Sequence, residues 1–282
     1  MALRTTSDPM PTTLRAAAIQ LASTPSRDRN LDVASRLIRE AAEDRAQLVA
    51  LPEMFNVLGD SDVMRSAAEP LDGPTMRWAK EVARRHSIWL VAGSFMESVA
   101  GETRHYNTSC LIDPEGALRA TYRKIHLFDN NVPGAAFHES ERVLPGKEVV
   151  VAEAAGISMG FGICYDLRFP ELFRAQSLRG AHVMVLPSAF TERTGRDHWE
   201  ILVRARAIEN QVFMIAPDQM GATAKGLRMF GNSMIVDPWG KVLARAEEKE
   251  MAIVCDLDFE TQERVRKQLP CLANRSRTFA TD

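Results

Sequence analysis

The chain has 282 residues, of which 45% are hydrophobic and 26% are charged, and its formal net charge is -2. These values are typical of a folded globular protein that is one large domain or two fused halves. Because the net charge is so small, nucleic acid and anionic membrane surfaces are not expected as main partners.

The cysteines and the chain ends indicate the cellular setting. The four cysteines at 110, 164, 255 and 271 form no C-x-x-C pair and have no histidine at zinc-ligand spacing, so we predict no metal site. A reduced cytoplasmic protein fits this pattern best. Residues 1–13 lack the apolar segment of a secretory signal and are predicted to be a disordered tail. No run of about 18 apolar residues predicts a membrane span.

The first half of the chain alternates strand and helix patterns. Strands are predicted at 14–21, 47–51, 88–93, 108–112 and 117–122, and helices are predicted to begin at Ser26 or Asp28 and at Pro74. The strand at 47–51 has too many apolar residues for a wet face, so it belongs in the centre of a sheet. The turn at 113–116 joins the last two strands into a hairpin.

The second half repeats the first. Residues 183–190 resemble 48–55, and residues 233–240 resemble 109–116, with a predicted helix at 197–210 and a strand at 211–216 between them. Two similar halves, each with helices on one face of a sheet, predict an α/β fold in the form of a four-layer αββα sandwich. A single doubly wound sheet fits less well, because the hairpins put antiparallel pairs in each half.

Three further segments complete the predicted organisation. Residues 124–147 break every periodicity, and their aromatic and histidine side chains favour an ordered loop that faces the substrate. A last strand at 250–257 and a short helix at 258–267 end a single domain that spans 14–268. The tail 269–282 is apolar enough for us to expect docking at a subunit interface.

The residues around Cys164 predict an exposed nucleophile. An apolar run ends at this cysteine and Pro170 opens a helix just behind it, so the thiol lies at a strand-to-helix corner. Backbone N–H groups and the positive end of a helix lower the pKa of a thiol in such a position. Asp166, Arg168 and Glu171 add charges that a buried structural cysteine does not need.

A cysteine nucleophile needs a base and a group that holds the oxyanion. Glu53 follows the buried strand at 47–51 directly, at the sheet edge where α/β enzymes carry their chemistry, and is the candidate base. Lys124 ends the strand of the first hairpin, and its ammonium is the candidate oxyanion partner. Glu53, Lys124 and Cys164 therefore all fall at strand ends.

Three stretches now identify a family resemblance. They are 51–55 (Leu-Pro-Glu-Met-Phe), 122–128 (Tyr-Arg-Lys-Ile-His-Leu-Phe) and 162–171 (Gly-Ile-Cys-Tyr-Asp-Leu-Arg-Phe-Pro-Glu). In this order they resemble the nitrilase superfamily of carbon–nitrogen hydrolases, whose Glu-Lys-Cys triad lies on an αββα sandwich. The resemblance extends from about residue 14 to residue 258.

The resemblance implies a role for each matching residue. It implies Glu53 as the base, Lys124 as the oxyanion partner and Cys164 as the nucleophile, with the backbone N–H of Tyr165 completing the oxyanion hole. The family has a second glutamate near the pocket, and Glu139 matches its position. A homodimer or higher homo-oligomer is expected on the same ground, and no cofactor is implied because the chain supplies every reacting group.

Within the superfamily, three stretches look like the Nit-type ω-amidase branch. They are 164–172, 124–129 together with 133–134, and 194–200. That branch hydrolyses the terminal amide of small carboxylated amides such as 2-oxoglutaramate or deaminated glutathione. Glu192 and Arg193 depart from the small residues that the branch commonly has there, and their charges bear on the choice of substrate.

Arg168 is the candidate for recognition of a substrate carboxylate, because a guanidinium offers a bidentate fork. The alternative is a structural salt bridge from Arg168 to Asp166 or Glu171. Phe190 and Thr194, on the loop after the second Leu-Pro, are further candidates for the pocket.

Other functions stay open at this point. A nitrilase or an N-carbamoyl amidase uses the same triad, and a papain-like dyad of Cys164 with His126 is a rival chemistry, although the local sequence around a papain-type cysteine is missing. From a different class, a non-catalytic member of the fold would keep the sandwich for protein contacts.

Overall fold

The computed structural model describes residues 10–131, 137–223, 226–276 and 278. Its larger sheet has the strand order β17-β1-β2-β3-β5-β4, with β6 paired to β5. These strands are β1 Thr13–Gln20, β2 Leu48–Ala50, β3 Trp89–Val91, β4 Phe95–Glu97, β5 Tyr106–Ile112, β6 Leu118–Arg123 and β17 Met251–Asp258. Strands β1, β2 and β3 are parallel to one another, and the rest of the sheet is built from antiparallel pairs.

The second sheet has the order β16-β15-β12-β11-β10-β9. Its strands are β9 Val151–Ala154, β10 Ile157–Phe161, β11 Val183–Val185, β12 Phe213–Ala216, β15 Met234–Val236 and β16 Val242–Arg245. Two small pairs lie outside both sheets, β7 Asp129–Asn130 with β8 Phe137–His138, and β13 Met220–Ala222 with β14 Arg228–Phe230. Two sheets confirm the predicted sandwich over the single doubly wound sheet.

Six α-helices lie in the described ranges, and most of them pack against the two sheets. They are α1 Arg27–Glu43, α2 Ser61–Ser66, α3 Pro74–His86, α4 Pro170–Leu178, α5 Glu192–Asn210 and α6 Phe259–Gln268. Successive side chains of a strand point to opposite faces, and β1 shows the resulting layers. Ala16 and Ala18 join the core between the sheets, whereas Ala17 and Ile19 join the core beneath α1 and α3. No helix in the described ranges is long and apolar enough to cross a membrane.

The internal repeat is visible in two turns with the same hydrogen bonds. Asp113 Oδ1 accepts from the N–H groups two and four residues later, and Asp237 Oδ1 does the same. The repeat does not extend to the last strand. Strand β17 leaves the second half and pairs with β1 along its whole length, from Thr13 opposite Asp258 to Gln20 opposite Met251.

Most of the predicted elements are present, and α5 has the largest error. It begins at Glu192, five residues before the predicted start, so Thr194 lies in its first turn and not on a loop. A glycine at 195 disfavours a helix in sequence, but here Phe230 presses against it. A Cβ on Gly195 would lie 2.3 Å from the Phe230 ring, so only glycine fits.

The segment 124–147 is largely irregular, as predicted. It contains the pair β7–β8 and a 3-10 turn at Glu139–Glu141, while the Pro133–Gly134 motif lies outside the described residues. At the chain ends, strand β1 begins at Thr13, one residue before the predicted domain start, and Gln211 Nε2 donates to Leu269 O at 2.6 Å. Disorder of the first residues and docking of the tail stay predictions.

Candidate active site

Three strand ends meet at the seam between the sheets. Glu53 lies three residues after β2, Lys124 follows β6 directly, and Cys164 opens a 3-10 turn three residues after β10. The backbone joins the two halves at this point, because Glu53 N–H donates to Ser188 O at 3.3 Å, and within the second half Cys164 N–H donates to Pro187 O at 2.9 Å. Residues that lie far apart in sequence therefore share one site.

Lys124 is the centre of a buried charged cluster. Its side chain is 2% exposed, and Nζ lies 3.0 Å from Glu53 Oε1 and 2.9 Å from Glu139 Oε2. Burial disfavours the ammonium, but the carboxylates of Glu139 and Glu53 outweigh it, so the pKa of Lys124 is raised well above its usual value. The ammonium is therefore charged throughout the neutral range.

The two glutamates differ in how completely they are hydrogen-bonded. Both oxygens of Glu139 contact Lys124 Nζ, and they also accept from Asn107 Nδ2 at 3.4 Å and Phe128 N–H at 2.6 Å. Glu53 Oε1 accepts from Lys124 and from Asn107 Nδ2 at 2.8 Å. Among the residues that the structure describes, Glu53 Oε2 accepts from Ala189 N–H alone, at 2.9 Å. A carboxylate oxygen has two lone-pair sites, so Glu53 Oε2 keeps one acceptor position open.

Cys164 has the backbone of a strained corner. Its φ is +45°, in the left-handed region that residues other than glycine seldom adopt, and the residue is half-buried. The predicted lowering of its pKa is wrong. Burial and the nearby Glu53 carboxylate raise the pKa of the thiol well above its usual value, and Lys124 only partly offsets them. The thiol is therefore protonated at neutral pH and needs a base.

One backbone amide links this thiol to Glu53. The N–H of Ala189 donates to Glu53 Oε2, and the same backbone amide acts to lower the pKa of the Cys164 thiol against the larger effects of burial and Glu53. The backbone segment that contains Ala189 is anchored by the following residue, because Phe190 N–H donates to Asp218 Oδ1 at 2.8 Å. Gln219 Nε2 donates to the carbonyl of Glu53 at 2.9 Å. One backbone amide thus acts on both Glu53 and Cys164, and the Glu53 charge acts on the thiol.

Asp166 stabilises the strand-to-helix corner at Cys164 and forms a hydrogen bond with His126, the candidate base of the papain-like dyad. Its Oδ2 accepts from the Tyr122 hydroxyl at 2.7 Å and from Ile163 N–H at 2.8 Å. Its Oδ1 lies 2.7 Å from His126 Nδ1, and the His126 ring stacks on Phe169 with 3.7 Å between centroids. With its ring held in this way, His126 is bound to Asp166 and not to Cys164, which argues against the papain-like dyad.

A narrow cavity of about 20 Å³ opens beside the cysteine. Its walls contain the predicted pocket residues and three more; they are Phe128, Cys164, Tyr165, Arg168, Ala189, Phe190, Thr191 and Thr194. The guanidinium of Arg168 lies 5.1 Å from the Phe190 ring centroid and 5.7 Å from that of Tyr165, with Nη1 3.2 Å from His198 Nδ1. It forms no ion pair with Asp166 or Glu171, so the salt-bridge alternative is wrong.

Glu192 and Arg193 do not line this cavity. The Glu192 carboxylate instead forms ion pairs with Arg196 on the same helix and with Arg228 of β14. The departure from the branch pattern therefore links the start of α5 to the β13–β14 pair.

Asn107 and Asp218 were not found from the sequence. Asn107 lies on β5 in a run of four polar residues, 106–109, and this run inside a buried strand is the signal that was available. Asp218 had no local signal; burial raises the pKa of its carboxyl well above the usual value. Within the ranges that the structure describes, no group of three or more His, Cys, Asp or Glu side chains is arranged to hold a metal ion.

Comparison with known proteins gives a consistent picture. The profile of the family described as carbon–nitrogen hydrolase matches residues 15–267. The chain is 42% identical to the deaminated glutathione amidase of Synechocystis over 92% of this chain and 97% of that protein. It is 39% identical to the omega-amidase NIT2 of Xenopus tropicalis, over 93% of this chain and 94% of that protein. The NitFhit protein of C. elegans has a similar structure, with a TM-score of 0.91 and 35% identity over 97% of this chain and 67% of that one.

Proposed function

The chain belongs to the carbon–nitrogen hydrolase family, and on that basis we propose that it is a thiol-dependent amidohydrolase. Its substrate is a small carboxylated amide of the 2-oxoglutaramate or deaminated-glutathione type, which it cleaves at the terminal amide to an acid and ammonia. The names of the two relatives, an amidase for deaminated glutathione and an omega-amidase, support this substrate class.

One observation carries the chemical part of the proposal. Among the four carboxylate oxygens of Glu53 and Glu139, Glu53 Oε2 alone has a single hydrogen-bond donor in the described part of the chain, and that donor, the Ala189 N–H, also acts on the pKa of Cys164. A protonated thiol with a raised pKa needs a neighbouring base, and this oxygen is in place to accept its proton. Glu139, with both oxygens occupied, holds the ammonium of Lys124.

The reaction then follows in two halves. Glu53 Oε2 takes the thiol proton as the sulfur of Cys164 attacks the amide carbon, and the oxyanion is held by the Lys124 ammonium and the Tyr165 N–H. The proton passes from Glu53 to the nitrogen, ammonia leaves and a thioester remains. Glu53 next deprotonates a water that attacks the thioester, and the proton returns to the sulfur as the acid is released.

Arg168 supports the choice of a carboxylated substrate. Its guanidinium lines the cavity beside Cys164 and has no carboxylate partner in the described part of the chain. A charged guanidinium at the mouth of a small pocket is well suited to a substrate carboxylate, which it binds in bidentate fashion. Phe190 and Thr194 line the same cavity and contact the body of the substrate.

The experiment that tests the proposal measures ammonia release from a panel of compounds. The panel contains 2-oxoglutaramate, deaminated glutathione, simple aliphatic amides, nitriles and N-carbamoyl compounds. We expect the highest kcat/KM for the two carboxylated amides, together with a thioester adduct on Cys164 detected by mass spectrometry. Carbon dioxide released with the ammonia would indicate a carbamoyl amidase, turnover of nitriles alone a nitrilase, and no turnover of any compound a binding protein.

A cytoplasmic homodimer completes the proposal. Support comes from three exposed apolar side chains near one another on the outer side of the second half. They are Ile201 and Ile208 on α5, 68% and 46% exposed, and Trp239, 62% exposed in the turn that packs against Ile208. Sedimentation velocity on wild type and Ile201→Glu tests this assembly, and a wild-type monomer would contradict it.

A further inference from the structure

Asn107 makes more contacts with the charged cluster than its position on a buried strand requires. Its side-chain nitrogen donates to Glu53 Oε1 at 2.8 Å and to Glu139 Oε1 at 3.4 Å, and its backbone carbonyl accepts from Lys124 N–H at 2.9 Å. The residue is 1% exposed and does not line the cavity beside Cys164. One residue thus contacts both carboxylates and the backbone of Lys124 from outside the cavity.

The orientation of this amide follows from charge. Two carboxylate oxygens face the side-chain nitrogen, so a rotated amide would place its own oxygen against two negative charges. In the orientation observed, Asn107 Oδ1 is buried and has no hydrogen-bond partner. An unpaired buried carbonyl destabilises the fold, and such groups are rare in proteins. The fold therefore keeps an unfavourable acceptor in order to hold two N–H donors on the glutamates.

As a consequence, the two carboxylate oxygens of Glu53 differ in the number of hydrogen bonds that they accept. Lys124 and Asn107 together occupy both lone-pair sites of Oε1, which leaves the open position on Oε2, where the proton of Cys164 arrives. Without Asn107, Oε1 would keep only its bond from Lys124, and the two oxygens of Glu53 would each have one donor. Both N–H groups also favour the charged form of the glutamates over the protonated form.

We propose that Asn107 is a positioning residue of the reaction, which directs proton transfer to Glu53 Oε2 and holds the carboxylates of Glu53 and Glu139 side by side. This role rests on the proposed amidohydrolase function. Glu53 faces Lys124 and Asn107 from the first sheet, Glu139 from the long loop, and Cys164 and Asp218 from the second half. These neighbouring groups therefore all contribute to any pH dependence that arises from Glu53.

The test compares Asn107→Leu, Asn107→Asp and Ser109→Ala. Leucine has nearly the size of asparagine but no donor, aspartate keeps the shape and adds a charge, and Ser109 is a buried residue two positions along β5 that contacts neither glutamate. The readouts are kcat and KM, the pH profile of kcat/KM, and the melting temperature. A fourth readout is the pH profile of Cys164 alkylation by iodoacetamide, followed by peptide mass spectrometry because Cys271 is exposed.

For Asn107→Leu we expect kcat to fall about tenfold or more, with KM changed less than about threefold, since hydrogen bonds to charged groups are about twice as strong as neutral ones. The acid limb of both pH profiles should move up by about one pH unit, because the carboxylate loses a donor. Asn107→Asp should move the limb at least as far, and Ser109→Ala should leave it unchanged.

A folded Asn107→Leu protein with the wild-type acid limb would overturn the proposal, whether or not its kcat falls, because a purely structural role predicts no shift. If the leucine variant does not fold, Asn107→Asp carries the same test with an isosteric side chain, and a wild-type profile there has the same meaning. A wild-type protein that hydrolyses none of the panel amides would end the proposed function alone, since the alkylation profile still tests Asn107.

Discussion

Lys124, Glu53 and Glu139 are each less than a tenth exposed, and every carboxylate oxygen of the two glutamates accepts at least one hydrogen bond. Across the cysteine, the guanidinium of Arg168 is half-buried and contacts two ring faces and one exposed histidine. The first sheet and its loop therefore supply a charged cluster with fixed geometry. The second half supplies a pocket wall with few directional contacts.

This difference separates two kinds of catalytic contribution. A preorganised charged cluster acts on the transition state and controls kcat, because its dipoles need no rearrangement during the reaction. A loosely held pocket wall adapts to the substrate and controls KM. The cavity of about 20 Å³ holds about one water, so side chains of the wall must move when an amide binds. Substitutions on the two sides should therefore have different kinetic signatures.

The largest effect is expected at the point where the two regions meet. Cys164→Ala removes the nucleophile and should lower kcat by about 10⁴-fold or more, with no thioester adduct in the mass spectrum. The matched control is Cys271→Ser, since Cys271 is exposed and distant in sequence from the triad. Ammonia release at the wild-type rate in the alanine variant would end the cysteine mechanism.

The next effect compares the two glutamates within the charged cluster. Glu53→Gln removes the open acceptor position and should lower kcat about 10³-fold. Glu139→Gln keeps the shape around Lys124 and should cost only about tenfold. The neutral glutamine at 53 should also lower the pKa of Cys164, because the Glu53 charge raises it. Equal losses in the two variants would contradict the assignment of Glu53 as the base.

Lys124→Met tests the same cluster through stability as well as rate. We expect kcat to fall about 10²- to 10³-fold and the free energy of unfolding to fall by about 3–5 kcal/mol, because two buried carboxylates lose their ammonium. The pKa of Lys124 is raised in the folded state, so its contribution is complete below the usual lysine pKa of about 10.4 and is lost only as pH rises beyond it.

The measurement is urea denaturation of wild type and Lys124→Met at several pH values between 6 and 11. The exposed Lys147→Met is the matched control and should change stability by less than about 0.5 kcal/mol. A stability loss at position 124 no larger than that of the control would show that the buried cluster contributes little to folding.

The smallest effect is expected on the pocket side. Arg168→Gln should raise KM for carboxylated amides about 10- to 100-fold, because one charged hydrogen-bonded pair is lost, and should leave kcat within a few fold. An uncharged aliphatic amide is the internal control, since its KM has no carboxylate to lose. A similar change in KM for both substrates would mean that Arg168 shapes the pocket and does not bind the substrate carboxylate.

The sequence was sufficient to predict the fold and to select Glu53, Lys124 and Cys164, the three residues that we propose as the triad. Turn chemistry at 113–116 and buried strand runs ending at Glu53, Lys124 and Cys164 are local signals, because they depend on the period of the side chains and on neighbouring residues. The same holds for the αββα sandwich, which two similar halves require in order to cover both sheets. The start of α5 was missed because Gly195 disfavours a helix locally, and only its contact with Phe230 explains it.

The sequence by itself determined which side chains reach the sheet edge, and only the tertiary structure decided how they act. The donors on Glu53 come from β5, from the end of β6 and from a loop of the second half, so no local pattern encodes them together. The direction of the Cys164 pKa shift depends likewise on burial and on a carboxylate more than a hundred residues away in the sequence. Hydrogen-bond saturation and desolvation are properties of assembled neighbours, which is why Asn107 and Asp218 became visible only in the folded chain.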